Sequence, residues 1–179
     1  MKLTEKQLFM KSIFKLHSKG SVLDLGFAEM PNDDILNITG IDIKKCKKPN
    51  NYDKVIQADL NKGIPLSSGL FDTVIAGDVI EHLENPVFFV KECSRVLKKN
   101  GTLIITAFNA YYLWHIFGRT DDEHYSIWTH QYMKKILSMY NLEISKSIGT
   151  GFEIPFTGFV KVNVPRKLSK IMIFVCKKR

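Results

Sequence analysis

The stretch from Phe71 to Asn109 constrains the fold more than any other part of the sequence. Thr73 to Ala76 is a short apolar run without alternation, which is typical of a strand buried on both faces of a parallel sheet. Asn85 and Pro86 then supply an N-cap and a proline suited to the first position of a helix. Thr102 to Thr106 is the next apolar run. A strand, a helix and a strand in this order predict a right-handed βαβ unit.

The helix of this unit has a single apolar stripe, with Gly101 as its predicted C-terminal stop. The stripe consists of Phe89, Cys93, Val96 and Leu97. Ligands of parallel α/β sheets lie beyond the carboxyl ends of the strands. We therefore expect a pocket surrounded by the residues that follow the two strands, which are Gly77, Asp78, Glu81, His82, Phe108 and Asn109.

Before and after this unit the sequence alternates turns with short apolar runs. Thr4 and Gln7 form a capping box for a helix predicted over Thr4 to Lys19, with an apolar stripe of Phe9, Ile13 and Leu16. Thr129 is predicted to cap a later helix, whose apolar face consists of Tyr132, Ile136 and Leu137. Further strands are predicted at Ser21–Leu25, Ile38–Ile43, Val55–Ala58, Leu142–Ser147 and Lys170–Lys177, the last two as a hairpin-like pair at the sheet edge.

Composition predicts one globular domain, since 179 residues can bury one core and 45% of them are hydrophobic. No apolar run approaches the ~20 residues that span a bilayer, and lysines interrupt the N-terminus where a signal peptide would be apolar. Cys46, Cys93 and Cys176 follow no metal or disulfide pattern, which favours a cytoplasmic location. The net charge of +8 comes partly from lysines around Cys46 and at the chain end, and we interpret these as solvated.

Four short motifs follow one another at the ends of the predicted strands. They are Val22-Leu23-Asp24-Leu25-Gly26, Gly40-Ile41-Asp42-Ile43, Gln57-Ala58-Asp59-Leu60, and the run from Asp78 to Leu83 with its Glu-His-Leu. Their order resembles that of class I S-adenosylmethionine-dependent methyltransferases of the ubiquinone-biosynthesis and methionine-biosynthesis type. The resemblance runs from about residue 21 to residue 140.

The resemblance implies an α/β fold that is Rossmann-like and doubly wound. The sheet is expected to be mostly parallel and seven-stranded, with an antiparallel C-terminal edge strand and helices on both faces. The implied division of the single domain, residues 1–179, is an N-terminal helix at 1–20, a cofactor-binding core at 21–108, and a cover for the acceptor at 109–128 and 150–168. The aromatic residues between Tyr111 and Trp128, with Phe152 to Phe159, are expected to form this lid.

Each motif offers a group suited to one part of S-adenosylmethionine, or of its product S-adenosylhomocysteine. Asp42 can accept from both ribose hydroxyls, and Asp59 from the adenine amino group with the Leu60 backbone beside it. Asp24 can reach the ammonium group of the methionine end. Gly26 and Gly77 allow the backbone to approach the ligand closely.

The first motif departs from the family pattern in its glycines. Relatives usually carry glycines two and four positions after the first, whereas this chain has Ala28 and Met30. Pro31 and the short distance to Asp42 leave little room for a first helix, which a subgroup of the family also shortens. The departure places cofactor affinity in question, and not the fold.

Two histidines are candidates for the catalytic base, since a hydroxyl nucleophile must lose its proton. His82 follows the fourth strand, and His124 matches a histidine that many relatives carry before the Thr-capped helix. Asp78, Glu81 and His82 have a spacing that gathers them on one side of a helical turn, as in some quinone-pathway O-methyltransferases that use a divalent cation. The Glu-His-Leu run also occurs in relatives without a metal, and we predict no metal here.

We predict an enzyme that methylates a small-molecule acceptor, with oxygen as the expected site and an oligomeric state left open. One alternative is a non-catalytic methyltransferase-like module that binds a partner, favoured by Ala28 and Met30. Another is a nucleic-acid methyltransferase, favoured only by the net charge and considered unlikely. A dinucleotide-binding domain needs Gly-x-Gly-x-x-Gly at the opening of a helix, and the loop at Gly26 lacks two of the three glycines.

Overall fold

The computed structural model describes residues 3–112, 124–150, 152–154, 158–160 and 169–179, with the two three-residue pieces described at the level of the backbone. The helices are α1 (Glu5–His17), α2 (Pro86–Val96) and α3 (His130–Met139). The strands are β1 (Val22–Leu25), β2 (Ile38–Asp42), β3 (Tyr52–Gln57), β4 (Phe71–Ala76), β5 (Leu97–Phe108), β6 (Leu142–Gly149), β7 (Phe152–Ile154), β8 (Gly158–Val160) and β9 (Ile171–Lys178). Within these residues no helix combines the length and the apolar character needed to cross a membrane.

Seven strands form one sheet in the order β3-β2-β1-β4-β5-β9-β6, and β7 and β8 form a separate antiparallel pair. β1 to β5 pair in parallel, which confirms the predicted βαβ unit of β4, α2 and β5. β9 is antiparallel to both β5 and β6. The C-terminal strand is therefore antiparallel as expected, while β6 occupies the edge beside it.

The two faces of the sheet are covered by different helices, because alternate residues of each strand point to opposite sides. On one face Leu23, Val74 and Leu103 belong to a buried cluster with residues of α2 and α3. On the other face Val22, Ile75 and Ile104 cluster with residues of α1. The expected Rossmann-like arrangement with helices on both faces is confirmed.

The helix caps follow the sequence, and the structure corrects one predicted end. Thr4, Asn85 and Thr129 each accept a hydrogen bond from the first turn of their helix, as predicted. Gly101, however, does not end α2 but lies inside β5. The helix ends at Val96 because its last carbonyl groups accept hydrogen bonds from the Gly69 and Leu70 amides, at 3.0 and 2.9 Å. Leu97 then pairs with Phe71 and starts the strand.

The buried face of α1 also differs from the predicted stripe. Met10 and Phe14 are fully buried, Phe9 and Ile13 are partly buried at the margin of the contact, and Leu16 is 66% exposed. The helix is thus rotated relative to the predicted stripe, because the sheet, and not the helix's own composition, selects the face that is covered. In α3, similarly, Met133 replaces Tyr132 on the buried face, and Tyr132 stacks on Trp128 at the surface.

This orientation of α1 predicts unequal effects of two substitutions on one helix. Phe14→Ala removes a fully buried ring, so we expect the free energy of unfolding to fall by about 3–5 kcal/mol in a urea titration. Leu16→Ala, the matched control on the exposed side, should change it by less than about 0.5 kcal/mol. Equal losses from the two variants would contradict the orientation of the helix.

Candidate functional site

A cleft of about 350 Å³ lies where the carboxyl ends of the parallel strands meet, and we call it the strand-end cleft. Its walls include most of the predicted site residues: Gly26, Asp42, Asp59, Leu60, Gly77 and His82. The remaining two, Asp24 and His124, are not among the lining residues. The volume is within the range of small-molecule sites in proteins.

The carboxylate of Asp42 is held at the end of β2 by two backbone amides. Its Oδ2 atom accepts a hydrogen bond from the Ala28 amide at 2.9 Å, and its Oδ1 atom accepts one from the Lys44 amide at 2.8 Å. A carboxylate oxygen has more than one acceptor position, so each can still accept from a ligand. The side chain is therefore fixed in one orientation at the cleft, with capacity to accept protons from a diol.

Asp59 and Leu60 form the adjoining part of the cleft, directly after β3. Asp59 Oδ1 accepts from the Asn61 amide at 3.0 Å and so caps a short 3-10 helix over Leu60–Lys62. Lys62 lies 3.8 Å from the same carboxylate, at the surface. Leu60 is buried apart from a small area on the cleft wall. An acceptor beside an apolar side chain suits a planar ring that carries an amino group.

The loop after β1 lacks a full first helix, as Pro31 and the short distance to Asp42 predicted. Gly26 has a φ of 71°, and its amide donates to the Ile41 carbonyl at 2.8 Å. Phe27–Glu29 then forms one turn of 3-10 helix, and no α-helix follows before β2. Ala28 contributes its amide to Asp42, and Met30 contributes its side chain to the cleft wall. The loop therefore presents its backbone to the cleft at Gly26 and a side chain at Met30.

Gly77 and Asp78 connect the cleft to α1. A Cβ atom at Gly77 would lie 2.8 Å from the ring of Phe14, so the close approach of α1 requires glycine here. The Asp78 amide donates to Thr106 Oγ1 at 2.7 Å, and the Asp78 carboxylate forms an ion pair with Lys6 at 2.8 Å. Lys6 also lies over the Phe108 ring, 5.5 Å from its centre. The sequence gives no sign of the Lys6 contact, because it depends on how α1 docks.

Asp24 is buried beneath the cleft and away from its lining. Its Oδ2 atom accepts from Asn32 Nδ2 at 2.7 Å and from the Tyr52 hydroxyl at 2.5 Å. Burial raises the pKa of Asp24 to about 6, and the two hydrogen bonds oppose this rise. The predicted contact of this carboxylate with the methionine ammonium therefore stays a prediction, one that the placement of the side chain does not favour.

Three residues form what we call the Glu81 cluster: Glu81, His82 and His124. One potential ligand atom from each lies within 4.8 Å of the others. The imidazole rings of His82 and His124 are 4.9 Å apart in an edge-on arrangement. The Glu81 carbonyl accepts from the Tyr125 amide at 2.8 Å, and this bond holds the segment of His124 against the turn of His82. The two predicted catalytic histidines are thus brought together by a backbone contact.

The carboxyl group of Glu81 is fully buried, and neither oxygen accepts a hydrogen bond from another described residue. Burial, with a smaller contribution from Asp78, raises the pKa of Glu81 to about 8. The cluster has the side chains of a divalent-cation site, but binding a cation would require Glu81 to lose its proton. The spacing in the sequence suggests Asp78 as the third residue beside Glu81 and His82. In the structure Asp78 forms an ion pair with Lys6, and His124 is the third member of the cluster. The absence of a metal stays a prediction.

Two residues near the strand-end cleft, Lys44 and Asn109, have contacts that differ from those expected from the sequence. Glu29 and Lys44 form an ion pair on the cleft wall, and Lys44 had been interpreted only as part of a solvated basic loop. Asn109 is buried, and its side chain donates to the Ser169 carbonyl at 2.8 Å, so it supports the chain instead of facing a ligand.

Of the predicted acceptor cover, residues 113–123, 151, 155–157 and 161–168 lie outside the described residues, and the lid stays a prediction.

Comparison with known proteins shows sequence similarity to methyltransferases over part of the chain. The sequence profile of a family described as "Methyltransferase domain" matches residues 23–105. A ubiquinone biosynthesis O-methyltransferase of Pelagibacter ubique is 31% identical over 80 residues, which cover 42% of this chain and 33% of that protein. A probable S-adenosylmethionine-dependent methyltransferase of Mycobacterium tuberculosis is 41% identical over 56 residues, which cover 31% of this chain and 20% of that protein. The chain thus spans a third or less of the length of these relatives.

A solved structure extends the similarity to the whole fold. A protein of Thermotoga maritima, described as an S-adenosylmethionine-dependent methyltransferase and possible histamine N-methyltransferase, superposes with a TM-score of 0.72 at 16% identity. The superposition covers 97% of this chain and 89% of that one. At this identity the similarity concerns the fold alone, and it confirms the predicted architecture.

The buried Asp24 carboxyl predicts a pH dependence of stability. Its pKa is higher in the folded chain, about 6, than the ordinary value of 3.8, so the folded state binds the proton more tightly. The associated stability is present below pH 4 and is lost as the pH rises to about 6. Relative to Asp24→Asn, the wild-type free energy of unfolding should therefore fall by about 2 kcal/mol between pH 4 and pH 7.

Urea titrations of both proteins at several pH values measure this change. A constant offset from the altered hydrogen bonds cancels in the difference between pH values. A wild-type to variant difference that stays constant from pH 4 to pH 7 would contradict the raised pKa of Asp24.

Proposed function

We propose that the chain is a class I S-adenosylmethionine-dependent methyltransferase and that it transfers a methyl group from that cofactor to the oxygen of a small molecule. One observation carries the proposal. The carboxylates of Asp42 and Asp59 and the glycine backbones at Gly26 and Gly77 surround a single cleft at adjoining strand ends. This is the set of groups that a ribose, an adenine and a methionine end require together.

The cofactor, when bound, supplies a methyl carbon that its sulfonium group activates for in-line displacement. The protein's part is to bind, to orient and to exclude water. Asp42, already held by two amides, accepts from the ribose hydroxyls without reorganisation. Asp59 and Leu60 receive the adenine, and Gly26 and Gly77 admit the methionine end.

In this proposal the acceptor hydroxyl loses its proton to His82 or His124. His82 lines the cleft, and its ring lies 4.9 Å from that of His124. Glu81, buried beside both, is neutral at pH 7 because burial raises the pKa of its carboxyl group to about 8. The likeness to a ubiquinone biosynthesis O-methyltransferase supports oxygen as the methylated atom. We further propose a cytoplasmic location, which the free thiols of the three cysteines support.

The proposal makes calorimetry with S-adenosylhomocysteine the first experiment. A methyltransferase should bind this product with an affinity in the micromolar range, whereas the alternative of a non-catalytic module needs no binding. Absence of binding at millimolar ligand would overturn the enzyme proposal. A nucleic-acid methyltransferase would instead bind RNA or DNA with an affinity that falls steeply as salt rises.

Asp42→Ala should weaken binding of S-adenosylhomocysteine by about 1–3 kcal/mol, because the ribose hydroxyls lose a buried acceptor. Asp53→Ala, on the exposed side of neighbouring β3, is the matched control and should leave the affinity unchanged. Urea titrations of both variants separate loss of binding from loss of folding. An unchanged affinity in Asp42→Ala would refute the placement of the ribose.

Of His124→Gln and His82→Gln, the variant that removes the base should lower kcat by about 10²- to 10⁴-fold for an acceptor found by screening hydroxyl-bearing compounds. Calorimetry should show little change in the affinity of His124→Gln for S-adenosylhomocysteine, because His124 lies off the cleft lining. If both variants retain full kcat, neither imidazole is the base. A loss of cofactor affinity in His124→Gln equal to its loss of kcat would place this residue in binding instead.

A further inference from the structure

A buried hydrogen-bond network lies beneath the strand-end cleft and joins β1, the first loop and β3. The Tyr52 hydroxyl donates to Asp24 Oδ2 at 2.5 Å and accepts from the Asn32 amide at 3.0 Å. The side chain of Asn32 donates to the same Asp24 oxygen at 2.7 Å. All three residues are at most 2% exposed. Buried polar groups are costly unless paired, so each member depends on the others.

Tyr52 can occupy this position only because Gly40 has no side chain. Tyr52 belongs to the edge strand β3, and Asp24 belongs to β1, with β2 between them. A Cβ atom at Gly40 would lie 2.7 Å from the Phe27 ring and 2.9 Å from the Tyr52 ring. The two rings contact each other, with centres 5.0 Å apart. The Tyr52 side chain thus crosses beneath β2 and ends at the first loop.

The network holds the far end of the loop that forms one wall of the cleft. The near end is held by the Gly26 amide on the Ile41 carbonyl and by the Ala28 amide on Asp42. The far end is held by Asn32, whose carbonyl also accepts from Asn51 Nδ2 at 2.8 Å. Between the two ends lie Glu29 and Met30, which line the cleft.

We propose that Tyr52 is a positioning residue for cofactor binding, which acts with Asp24 to hold the loop of residues 26–32 in its binding conformation. In this assignment Asp24 Oδ2 acts through Tyr52 and Asn32. The network orders a loop that no first helix holds, and a loop that is ordered before binding does not lose further conformational entropy on binding. The inference rests on the proposed function, since it names what sets the affinity of that site.

The decisive variant is Tyr52→Phe, which removes the hydroxyl and keeps the ring against Phe27. The dissociation constant for S-adenosylhomocysteine should rise about tenfold, the effect of one buried hydrogen-bonding group. Hydrogen exchange should accelerate at the Ala28 amide, which does not touch Tyr52 and so reports the order of the loop. With an acceptor in hand, KM for S-adenosylmethionine should rise while kcat is kept.

Thr102→Val is the matched control, because it also removes a buried hydroxyl. Thr102 accepts from Lys177 at 2.7 Å on β5 and is not part of the cleft wall. It should destabilise the chain without changing the dissociation constant or the exchange at Ala28. If Tyr52→Phe does not fold, Asn51→Ala carries the same expectation, because it releases the Asn32 and Ile35 carbonyls without exposing Asp24.

The results separate this inference from the proposed function. If the wild-type chain binds S-adenosylhomocysteine and the network variant binds it equally well, with unchanged exchange at Ala28, the positioning role is overturned. Equal losses of affinity in the variant and in Thr102→Val would overturn it too, since the effect would then be global. If the wild-type chain does not bind, the proposed function fails, and exchange at Ala28 still tests whether Tyr52 orders the loop.

Discussion

The parallel pairing of β1 with both β2 and β4 is the constraint on which the rest of the structure depends. Leu25 is in register with Ile41 on one side and with Ala76 on the other. The residues that follow these three, Gly26, Asp42 and Gly77, therefore lie at one level at the carboxyl ends of the strands. A cleft arises there because the chain runs outward from β1 and β4 in opposite directions along the sheet.

Burial gives similar carboxyl groups different chemistry around this cleft. Asp42 accepts two backbone amides and faces the cleft, so it is fixed and available. Asp24 accepts from Tyr52 and Asn32 in a dry interior, where burial raises its pKa to about 6. The Glu81 carboxyl oxygens accept from no other described residue, and burial raises the pKa of this carboxyl group to about 8. Three acidic residues near the cleft thus differ in their surroundings: Asp42 is a fixed acceptor on the cleft wall, Asp24 is a buried partner of Tyr52 and Asn32, and Glu81 is a neutral neighbour of two histidines.

Most of the fold could be predicted from the sequence, because its signals are local. Caps at Thr4, Asn85 and Thr129, and unbroken apolar runs for the central strands, depend only on neighbours in the chain. The errors occurred where distant segments compete for the same groups. The end of α2 was misplaced because the amides of Gly69 and Leu70 capture its last carbonyls. The buried face of α1 was misplaced because the sheet, and not helical periodicity, selects Met10 and Phe14.

The sequence by itself determined the α/β architecture, the resemblance to methyltransferases, and the acidic residues and glycines that the structure brings to one cleft. Each of these follows from residue type and spacing along a strand end. Only the tertiary structure decided that Asp24 is held by Tyr52, that His124 lies beside His82, and that Lys6 pairs with Asp78. These contacts join segments that are far apart in the chain. Their existence depends on which faces the packed elements present to one another, and that choice is made by burial of the whole core.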